Sequence, residues 1–369
     1  MRILQICYKY PPFFSGYGKQ LHTVNQEITK DDTISVTVLT AYGKNKSTTI
    51  SPNFIVKSLF ETESEKSRNY FYLFSAFVVF RYLVFFIRAD VIHIVKAGPE
   101  LIIPTMLAKL LGKKVIIKVA QDDLEALLPH KVGLLKKIRR FFIRKADIVV
   151  ALSQKIVDEA LGIGVSAKAI RKIPNSVDTS RFKYETSLAA ESTNSRVKRY
   201  VFIGSISRRK GVVDLLDALL IYQGSNIYFT LAGPLYDVGD FEERLVSINQ
   251  RGFVNIKYVG EIDRPEDLLE KNDCLVLPSY SEGMPNVVLE AAACGLYLLL
   301  SDISIHKELL NILDGYLFTL GNKLSILSSL SYINKLELTP YHMASQSRQA
   351  SSGFSVDVVS RKYLSIYII

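Results

Sequence analysis

The sequence has few cysteines, and their spacing suits neither a bridge nor a metal site. Cys7, Cys274 and Cys294 lie far apart among apolar neighbours. The chain has no CxxC pair and no cluster of cysteine and histidine ligands, which argues against both disulfides and structural zinc. We therefore expect three buried thiols in a reducing, cytoplasmic setting.

Long apolar runs are also missing. The run Ile3–Cys7 is too short for a signal peptide and predicts a first core strand. The longest apolar stretch, residues 70–87, is interrupted by Arg81, which leaves too few consecutive apolar residues to span a bilayer. No transmembrane helix is predicted.

The chain is long enough for two domains and carries an excess of positive charge. Its 369 residues are 48% hydrophobic and 22% charged, as in an ordinary globular protein. Lysine and arginine outnumber aspartate and glutamate by 46 to 36, which gives a formal charge of +10. This excess favours anionic partners, namely nucleic acid, an acidic membrane surface or phosphate-bearing substrates, and does not choose among them.

Short β-rich segments alternate with helical patterns along the chain, which is typical of βαβ units and parallel sheets. We predict strands at residues 3–7, 35–39, 91–95, 115–119, 148–151, 200–203, 227–232, 256–259, 274–277 and 297–300. We predict helices at residues 18–29, 70–88, 101–111, 134–145, 212–220 and 286–293. The polar segment 183–198 has no periodicity and is the predicted linker. The fold prediction is α/β, with two Rossmann-like doubly wound domains that face each other across a cleft.

The segment after the predicted strand 274–277 has the features of a diphosphate site. A polar turn leads into a helix that has Pro285 in its first turn. Ligands of open parallel sheets bind at the carboxyl ends of the strands, where helix N-termini point. We therefore expect the amides of Gly283, Met284 and Asn286 onwards, together with the helix dipole, to hold a diphosphate.

Two glutamates accompany this predicted site, Glu282 in the turn and Glu290 about five residues into the helix. A carboxylate beside phosphates would repel them, so these side chains make sense as acceptors of hydrogen bonds from sugar or ribose hydroxyls. Their different settings argue against one acid/base pair. The alternative is that Glu282 is a solvated loop residue and Glu290 an exposed helix residue.

A second anion site is predicted after the strand 200–203. Gly204 follows the strand, and Arg208, Arg209 and Lys210 precede a helix, so backbone amides and cationic side chains would meet at a helix N-terminus. The alternative is an exposed basic turn.

These segments together resemble a known family. Glu282-Gly-Met-Pro, with Glu290 eight positions later, resembles the E-x7-E motif of the family-4 glycosyltransferases, which are retaining enzymes of GT-B fold. The resemblance implies that Glu282 contacts the donor sugar and Glu290 the ribose of the nucleotide. It implies that Lys210 binds the donor phosphates, with Arg209 or Arg208 as a further ligand, although the family's arginine after the glycine is Ser205 here. The donor-binding residues that it implies are Gly16, Gly18, Gly204, Arg209, Lys210, Glu282, Gly283, Met284, Pro285, Asn286, Val287 and Glu290.

The resemblance extends over nearly the whole chain, from about residue 2 to residue 363. Ile173-Pro-Asn-Ser-Val-Asp178 resembles the family's PNGVD turn, with Ser176 in place of glycine, which is tolerable if the turn needs no positive φ. The implied domains are residues 1–182 and 199–352. The segment 353–369 resembles the terminal helix that packs back on the first domain.

The N-terminal domain departs from the family pattern. Gly16 and Gly18 follow the first strand, but Ser15 replaces the first glycine of the family's loop, and an ordinary flexible turn would also explain the pair. Many relatives have a histidine after the strand at 115–119. This chain instead offers Asp122 as a candidate catalytic group that accepts a hydrogen bond from a sugar hydroxyl. The donor phosphate itself would then act as the base. His93 is expected to be structural, and the other four histidines, His306 among them, form no pattern.

The segment 131–145 is strongly basic and contains no acidic residue. At helical spacing, Leu134, Leu135, Ile138, Phe141 and Phe142 share one face and the basic residues share the other. One interpretation is a core helix with a solvated basic back. The other is docking of the basic face on an anionic membrane leaflet, and the residues expected at this membrane and acceptor side are Lys136, Lys137, Arg139 and Arg140.

The favoured hypothesis is a metal-independent, retaining transfer of a hexosyl or N-acetylhexosaminyl group from a UDP- or GDP-sugar. The acceptor would be a lipid-linked saccharide in surface polysaccharide biosynthesis, reached by a cytoplasmic enzyme at the inner face of the membrane. No cofactor and no metal site are expected, since no Asp-x-Asp motif is recognisable. A nucleotide-sugar epimerase of similar build and a basic, non-enzymatic binding module remain as alternatives. Binding of nucleic acid would explain the charge but not the ordered motifs.

Overall fold

The computed structural model describes residues 1–13, 15–62, 71–119, 124, 127, 133–184 and 197–368. The described chain divides into two compact units. Unit 1 comprises Met1–Ser176 and Val356–Ile369, and unit 2 comprises Val177–Ser355. Asp122 and most of the predicted linker 183–198 lie outside the described residues.

Unit 1 is built on an eight-stranded sheet with the order β3-β4-β2-β1-β5-β6-β7-β8. All neighbouring pairs are parallel except β3 and β4. In the register at the centre of the sheet, Ile3 lies opposite both Val36 and Val91. The strands are β1 (Arg2–Cys7), β2 (Ser35–Gly43), β3 (Ser47–Ser51), β4 (Phe54–Glu61), β5 (Val91–Val95), β6 (Lys114–Lys118), β7 (Ile148–Ala151) and β8 (Ile170–Lys172).

Several helices of unit 1 pack against one another. Its helices are α1 (Gly16–Ile28), α2 (Phe71–Arg81), α3 (Leu83–Arg88), α4 (Ile102–Leu110), α5 (Leu134–Arg144), α6 (Gln154–Gly162) and α14 (Val356–Ile368), with short 3-10 turns at Pro99–Leu101 and Ala167–Ala169. Helix α1 packs against α14, whereas α4 packs against both α2 and α5. The core of this unit includes side chains from β1, β2, β5 and the terminal helix α14.

Unit 2 contains a six-stranded, fully parallel sheet with the order β11-β10-β9-β12-β13-β14. Its strands are β9 (Arg199–Ile203), β10 (Ile227–Ala232), β11 (Val254–Tyr258), β12 (Cys274–Leu277), β13 (Tyr297–Ser301) and β14 (Gly315–Phe318). Its helices are α7 (Val212–Ile221), α8 (Phe241–Gln250), α9 (Pro265–Leu269), α10 (Asn286–Ala293), α11 (Ser304–Leu309), α12 (Lys323–Lys335) and α13 (Pro340–Phe354). Strand β12 is buried along its whole length, as a parallel strand covered on both faces must be.

The order of each sheet marks the place where a ligand would bind. Strand β9 lies between β10 and β12, and β1 lies between β2 and β5. From such a central strand the chain first adds strands on one side of the sheet and later adds strands on the other side. The loops that follow the two neighbouring strands therefore separate and leave a crevice at the carboxyl edge.

The predicted helix over 70–88 is two helices in the structure. Tyr82 separates α2 from α3 with φ −123° and ψ 24°, outside the helical range. Its ring is buried, and its hydroxyl donates to the carbonyl of Ser58 in β4 at 2.8 Å. This tertiary contact fixes the break between α2 and α3.

No helix among the described residues is long and apolar enough to cross a membrane.

The division between the units falls near the predicted domain boundaries. We expected the first domain to end at residue 182, whereas the second unit begins at Val177. The reason is local, because the amide of Val177 donates to the carbonyl of Phe354 at 2.8 Å and Val177 bridges to Ser355. The chain then returns to unit 1 at Val356, close to the expected position 353.

Candidate functional site

Three loops meet at the carboxyl edge of the unit 2 sheet. They follow the adjacent strands β10, β9 and β12. A Cβ added to Gly233 would lie 2.0 Å from the carbonyl oxygen of Gly204, and one added to Gly211 would lie 1.9 Å from that of Pro278. Gly211 also has φ +70°, which disfavours any other residue. The backbones of these loops are therefore in direct contact, and glycine is required there.

An ion pair joins two of these loops. The ammonium of Lys210, after β9, contacts the carboxylate of Glu282, after β12, and their side chains are only 14% and 7% exposed. Arg209 donates to the carbonyl of Ser281 at 2.8 Å, and its own carbonyl accepts from the amide of Tyr280 at 3.0 Å. The alternative that Glu282 is a solvated loop residue is therefore wrong. The alternative that Glu290 is an exposed helix residue is also wrong, because the structure buries Glu290.

The three basic residues of the first loop have different surroundings. Lys210 is largely buried in the ion pair, whereas Arg208 and Arg209 are exposed. The amide of Arg208 donates to Asp237 at 2.9 Å, and Ser205 lies 3.4 Å from Ser207 between their hydroxyl oxygens. Lys210 is thus the cation of this loop that forms a buried ion pair, whereas the exposed Arg209 contacts only a backbone carbonyl of the loop after β12.

A helix begins directly beside the ion pair. Helix α10 has eight residues and starts at Asn286, so Pro285 is its N-cap rather than part of its first turn as predicted. Gly283 and Met284 are buried in the turn that leads into it, and Val287 is half-buried. The positive end of the helix dipole and the cation of Lys210 therefore lie on the same edge of the sheet, which suits a diphosphate.

Glu290 lies near a different cation, Arg181, which sequence reasoning missed. Arg181 donates to Glu266 at 2.7 Å. The pKa of Arg181 is raised chiefly by this hydrogen bond, against the effect of burial, and the negative charges of Glu266 and Glu290 add to the increase. The two glutamates of the motif therefore lie beside separate cations, as two hydrogen-bond acceptors in different settings would.

His306 is a second residue that the sequence did not reveal. Its Nδ1 lies 2.8 Å from the carbonyl oxygen of Ser301, which can only accept, so Nδ1 carries the proton. The hydroxyl of Ser301 donates to the carbonyl of Ser279 at 2.7 Å. These two bonds connect the loop after β13 to the loop that carries Glu282, so the expectation that His306 belongs to no constellation is corrected.

The electrostatics of His306 agree with this position. Burial is the main cause that lowers the pKa of His306 to about 4, and the positive charge of Lys210 acts in the same direction. The hydrogen bond to Ser301 and the negative charge of Glu282 act in the opposite direction. The imidazole is therefore neutral at pH 7. Its Nε2 and the hydroxyl oxygen of Ser279 are buried and have no hydrogen-bond partner among the described residues. In the sequence, the signal for this residue is a histidine that follows a predicted buried strand. Such a histidine is common and does not by itself indicate a functional site.

In unit 1, the two glycines after β1 begin a helix. Ser15 is the N-cap of α1, and its hydroxyl accepts from the amide of Gly18 at 3.0 Å. A Cβ on Gly18 would lie 2.5 Å from the carbonyl oxygen of Lys9. The alternative of an ordinary flexible turn is therefore wrong, and Ser15, which departs from the family pattern, serves as a helix cap.

The carboxyl edge of unit 1 contains a buried cation that the sequence did not predict. Lys118 ends β6, and its ammonium lies 3.4 Å from the side-chain oxygen of Asn175 and 5.6 Å from the ring centroid of Tyr363. Burial lowers its pKa to about 8. Asn175 belongs to the turn in which Ser176 replaces glycine, and Ser176 has no positive φ, as that substitution requires.

Helix α5 does not have the arrangement predicted for it. Among its residues Ile143 is buried, whereas Leu134, Leu135 and Phe141 of the predicted core face are exposed. The side chains expected at the membrane and acceptor side are half-buried at Lys136, Arg139 and Arg140 and exposed at Lys137. The interpretation as a core helix with a solvated basic back is therefore wrong.

Comparison with family models covers nearly all of the chain. The model described as Glycosyltransferase Family 4 matches residues 16–181, and that described as Glycosyl transferases group 1 matches residues 184–350. The chain belongs to the family-4 glycosyltransferases. The two matches meet between residues 181 and 184, close to the division into two α/β units that the structure shows.

Individual relatives of this family-4 glycosyltransferase are distant. The N-acetyl-alpha-D-glucosaminyl L-malate synthase of Bacillus anthracis is 23% identical over 75% of this chain and 74% of its own length. The N,N'-diacetylbacillosaminyl-diphospho-undecaprenol alpha-1,3-N-acetylgalactosaminyltransferase of Campylobacter jejuni is 27% identical over 43% of this chain. The putative teichuronic acid glycosyltransferase TuaC of Bacillus subtilis is 25% identical over 51%. The alignments span 45% and 46% of the last two proteins, less than half of their length.

Solved structures show the GT-B fold. The sucrose-phosphate synthase of Thermosynechococcus elongatus superposes with a TM-score of 0.79 at 16% identity and covers 99% of this chain and 98% of its own. Anabaena HepE in complex with UDP and glucose superposes with a TM-score of 0.73 at 17% identity, over 99% of each chain. The prediction of two Rossmann-like domains of GT-B type is therefore confirmed.

Proposed function

We propose that this chain is a retaining glycosyltransferase that moves a hexosyl or N-acetylhexosaminyl group from a UDP- or GDP-sugar to a saccharide acceptor. The observation that carries the proposal is the buried Lys210–Glu282 ion pair beside the start of α10. A cation and a helix N-terminus at one sheet edge bind a diphosphate, and the adjoining carboxylates accept hydrogen bonds from hydroxyl groups. A nucleoside diphosphate linked to a sugar has both kinds of group.

Each residue then has a defined task. Lys210 and the amides at the start of α10 hold the diphosphate, and exposed Arg209 adds a further cation. Glu282 accepts from a hydroxyl of the donor sugar, and Glu290 from the ribose. During transfer the bond between the anomeric carbon and the diphosphate breaks and a bond to the acceptor oxygen forms. The proton of the acceptor hydroxyl passes to the departing phosphate, so no protein base is needed.

The cationic side chains and the helix N-terminus of this site also support a reaction without a divalent metal ion or a cofactor. Lys210 and the helix dipole stabilise negative charge on the leaving diphosphate, the task for which other transferases use a metal. We expect activity to persist in the presence of a chelator such as EDTA. A strict requirement for an added divalent cation would contradict this part of the proposal.

We further propose that the acceptor is lipid-linked and that the enzyme works in surface polysaccharide biosynthesis at the inner face of the membrane. The names of relatives support this. The Campylobacter jejuni enzyme is named for a diphospho-undecaprenol substrate, and a Streptococcus pneumoniae relative is an alpha-galactosylglucosyldiacylglycerol synthase. A Staphylococcus aureus relative is a capsular polysaccharide glycosyltransferase. The basic helix α5 adds a surface that anionic lipids attract.

The direct test is transfer from labelled UDP- and GDP-sugars into the lipid extract of membranes. Removal of one partner of the ion pair would leave the other charge buried and unpaired, so the informative variant is the double substitution Lys210→Met/Glu282→Gln. We expect it to lose at least about 100-fold in rate, as for loss of a group that stabilises developing charge. Its melting temperature should stay close to that of the wild type.

The matched control replaces one exposed lysine and one exposed glutamate of the same unit, Lys257→Met and Glu243→Gln. This variant should transfer at the wild-type rate. Full activity of the Lys210/Glu282 variant would contradict the site. A donor panel screened by thermal shift tests donor binding separately, since a ligand at 100 times its Kd adds about 2.7 kcal/mol of stability. No stabilisation by any nucleotide sugar would contradict the function itself.

A further inference from the structure

Four helices of unit 1 expose large apolar side chains to solvent. Phe80 of α2 is 86% exposed, Leu110 of α4 is 77% exposed and Leu134 of α5 is 73% exposed. Val84 of α3 is also exposed. Helix α2 packs in the unit through the buried side chains of Phe74 and Val78. Its exposed apolar residues do not take part in this packing. Single exposed apolar residues are ordinary, but a contiguous group indicates an interaction surface.

The four helices are neighbours in unit 1. The hydroxyl of Ser75 in α2 accepts from the amide of Ile103 in α4 at 3.3 Å. The ammonium of Lys113, just after α4, donates to the carbonyl of Ile87 in α3 at 2.7 Å. Helix α4 also packs against α5. We call the exposed side chains of α2, α3, α4 and α5 the four-helix surface.

The charged residues of the four helices are all basic, and of these Lys109 is paired with Asp147, which lies outside the helices, at 2.6 Å. None of the four helices contains an aspartate or a glutamate. Their basic residues are Arg81, Arg88, Lys109, Lys136, Lys137, Arg139, Arg140 and Arg144. Near the end of α4 a depression of about 520 Å³ shares Lys109 with this set and has further basic residues in its lining. Its basic residues are Lys109, Lys113, Lys114, Lys168 and Arg171, against the single acid Asp147.

We propose that the four-helix surface docks on an anionic lipid bilayer, with Phe80, Leu110 and Leu134 inserted among the acyl chains and the basic side chains at the headgroups. The apolar and basic residues together fit this occupant. A nucleic acid would match the charge but would leave the apolar side chains in water. A second copy of the chain would bring like charges together. An anionic bilayer offers both an apolar interior and a negative surface.

This inference deepens the proposed function, on which it rests for its biological purpose, because a lipid-linked acceptor lies in a membrane. It also extends the docking predicted from the sequence, in which the basic face of α5 contacts an anionic leaflet. The exposed side chains of Leu134, Leu135 and Phe141 add an apolar contribution to binding, which salt does not screen.

A single tryptophan provides the first test, because the chain contains none. Leu110→Trp should show a blue shift of its fluorescence when vesicles of phosphatidylcholine and phosphatidylglycerol are added. The matched control is Leu324→Trp, at a position in unit 2 that is also exposed. Its emission should not change. A blue shift at both positions, or at neither, would overturn the proposal.

The second test separates apolar from electrostatic binding by vesicle co-sedimentation. The wild type should bind vesicles that contain phosphatidylglycerol and should stay partly bound at high salt. The variant Phe80→Ser/Leu110→Ser/Leu134→Ser should bind at least about tenfold more weakly and be released by salt, since each lost side chain removes an apolar contribution. Replacement of Lys136, Lys137 and Arg140 by glutamine should weaken binding mainly at low salt.

The control for the serine variant is Tyr236→Ser/Leu324→Ser/Tyr341→Ser, three exposed apolar residues of unit 2. It should bind vesicles like the wild type. Equal binding by the two serine variants would overturn the proposal. Thermal shift with nucleotide sugars is measured in parallel. If the Phe80/Leu110/Leu134 serine variant loses vesicle binding and keeps donor binding, the four-helix surface is the site of vesicle binding. If the wild type binds vesicles but no nucleotide sugar, the proposed function is contradicted and the docking surface is not.

Discussion

At the scale of the residue, the most unusual group is the buried ammonium of Lys118. It lies among Asn175, Tyr363 and His93 on the side of the unit 1 sheet covered by the terminal helix. Among the described residues no carboxylate forms an ion pair with it, and burial lowers its pKa to about 8. A buried lysine destabilises the folded state at neutral pH, because its charged form has lost its water. His93 is affected in the same way, since burial lowers its pKa to about 3.

This cost leads to a prediction for Lys118→Met. Between pH 8 and the usual lysine pKa of 10.5, the unfolded chain holds a proton that the folded chain has released, so wild-type stability rises with pH in this window. The difference between the two pKa values corresponds to about 3 kcal/mol. The methionine variant should therefore be more stable than the wild type at pH 7, by up to about 3 kcal/mol, and this advantage should shrink between pH 8 and 10.5.

Urea unfolding of both proteins across this pH range measures the effect. The control is Lys168→Met, at an exposed lysine of the same unit. It should show no pH-dependent difference from the wild type. A methionine variant at position 118 that is less stable at pH 7 would mean that the hydrogen bond to Asn175 outweighs the cost of burial.

At the scale of the element, the donor site depends on how closely the loops after β9, β10 and β12 approach one another. Backbone contacts, rather than large side chains, connect them, and Gly211 and Gly233 make that approach possible. The Lys210–Glu282 ion pair joins the loops after β9 and β12, and the hydrogen bond from Ser301 to Ser279 attaches the end of β13 to the loop after β12. Because the same loops carry the proposed phosphate and sugar ligands, packing and binding are coupled at this edge.

We predict that Gly211→Ala disrupts both properties. The new Cβ would lie 1.9 Å from the carbonyl oxygen of Pro278, and alanine at φ +70° is strained by about 1–2 kcal/mol before any clash is counted. The melting temperature should fall, and stabilisation by nucleotide sugars should be lost. Differential scanning fluorimetry with and without donor measures both effects.

The matched control is Gly239→Ala. An added Cβ at Gly239 meets no atom within 4 Å, and the position lies in the same unit. This variant should behave as the wild type. If Gly211→Ala kept wild-type stability and donor binding, the close contact between the two loops would not matter for the site.

At the scale of the whole molecule, the chain completes unit 1 with its last helix. Helix α14 follows unit 2 in sequence but packs against α1. Tyr367 interacts with His93 Nδ1 at 2.8 Å through its hydroxyl, and the side chain of Gln5 donates to the same oxygen at 3.3 Å. Val359, Tyr363 and Ile366 belong to the core of unit 1. The first unit is therefore complete only when the end of the chain is present.

A pair of isoleucines tests this arrangement. Ile366 is buried in the core of unit 1, whereas Ile368, two residues later in the same helix, is 72% exposed. Ile366→Ala should destabilise the protein by about 2–5 kcal/mol, and Ile368→Ala should have almost no effect. Chemical denaturation of the two variants measures the difference. Similar stability of the two would mean that α14 contributes little to the folding of unit 1.

The sequence by itself determined the local elements and the order of the motifs. The strands at 91–95 and 274–277 and the helix at 286–293 have the bounds that were predicted. Apolar runs, helical periodicity and the position of proline act within one segment, so they can be interpreted without knowledge of the fold. The strand β3 was missed because it is polar and exposed at the sheet edge and has no apolar pattern.

Only the tertiary structure decided which residues meet at the site and which faces stay exposed. Lys210 and Glu282 are 72 residues apart in sequence, and His306 and Arg181 became visible only through their contacts with other loops. The sequence of α5 showed an apolar face and a basic face. It could not show that Leu134 and Phe141 are left in solvent, because burial of a helix face depends on which neighbouring elements cover it.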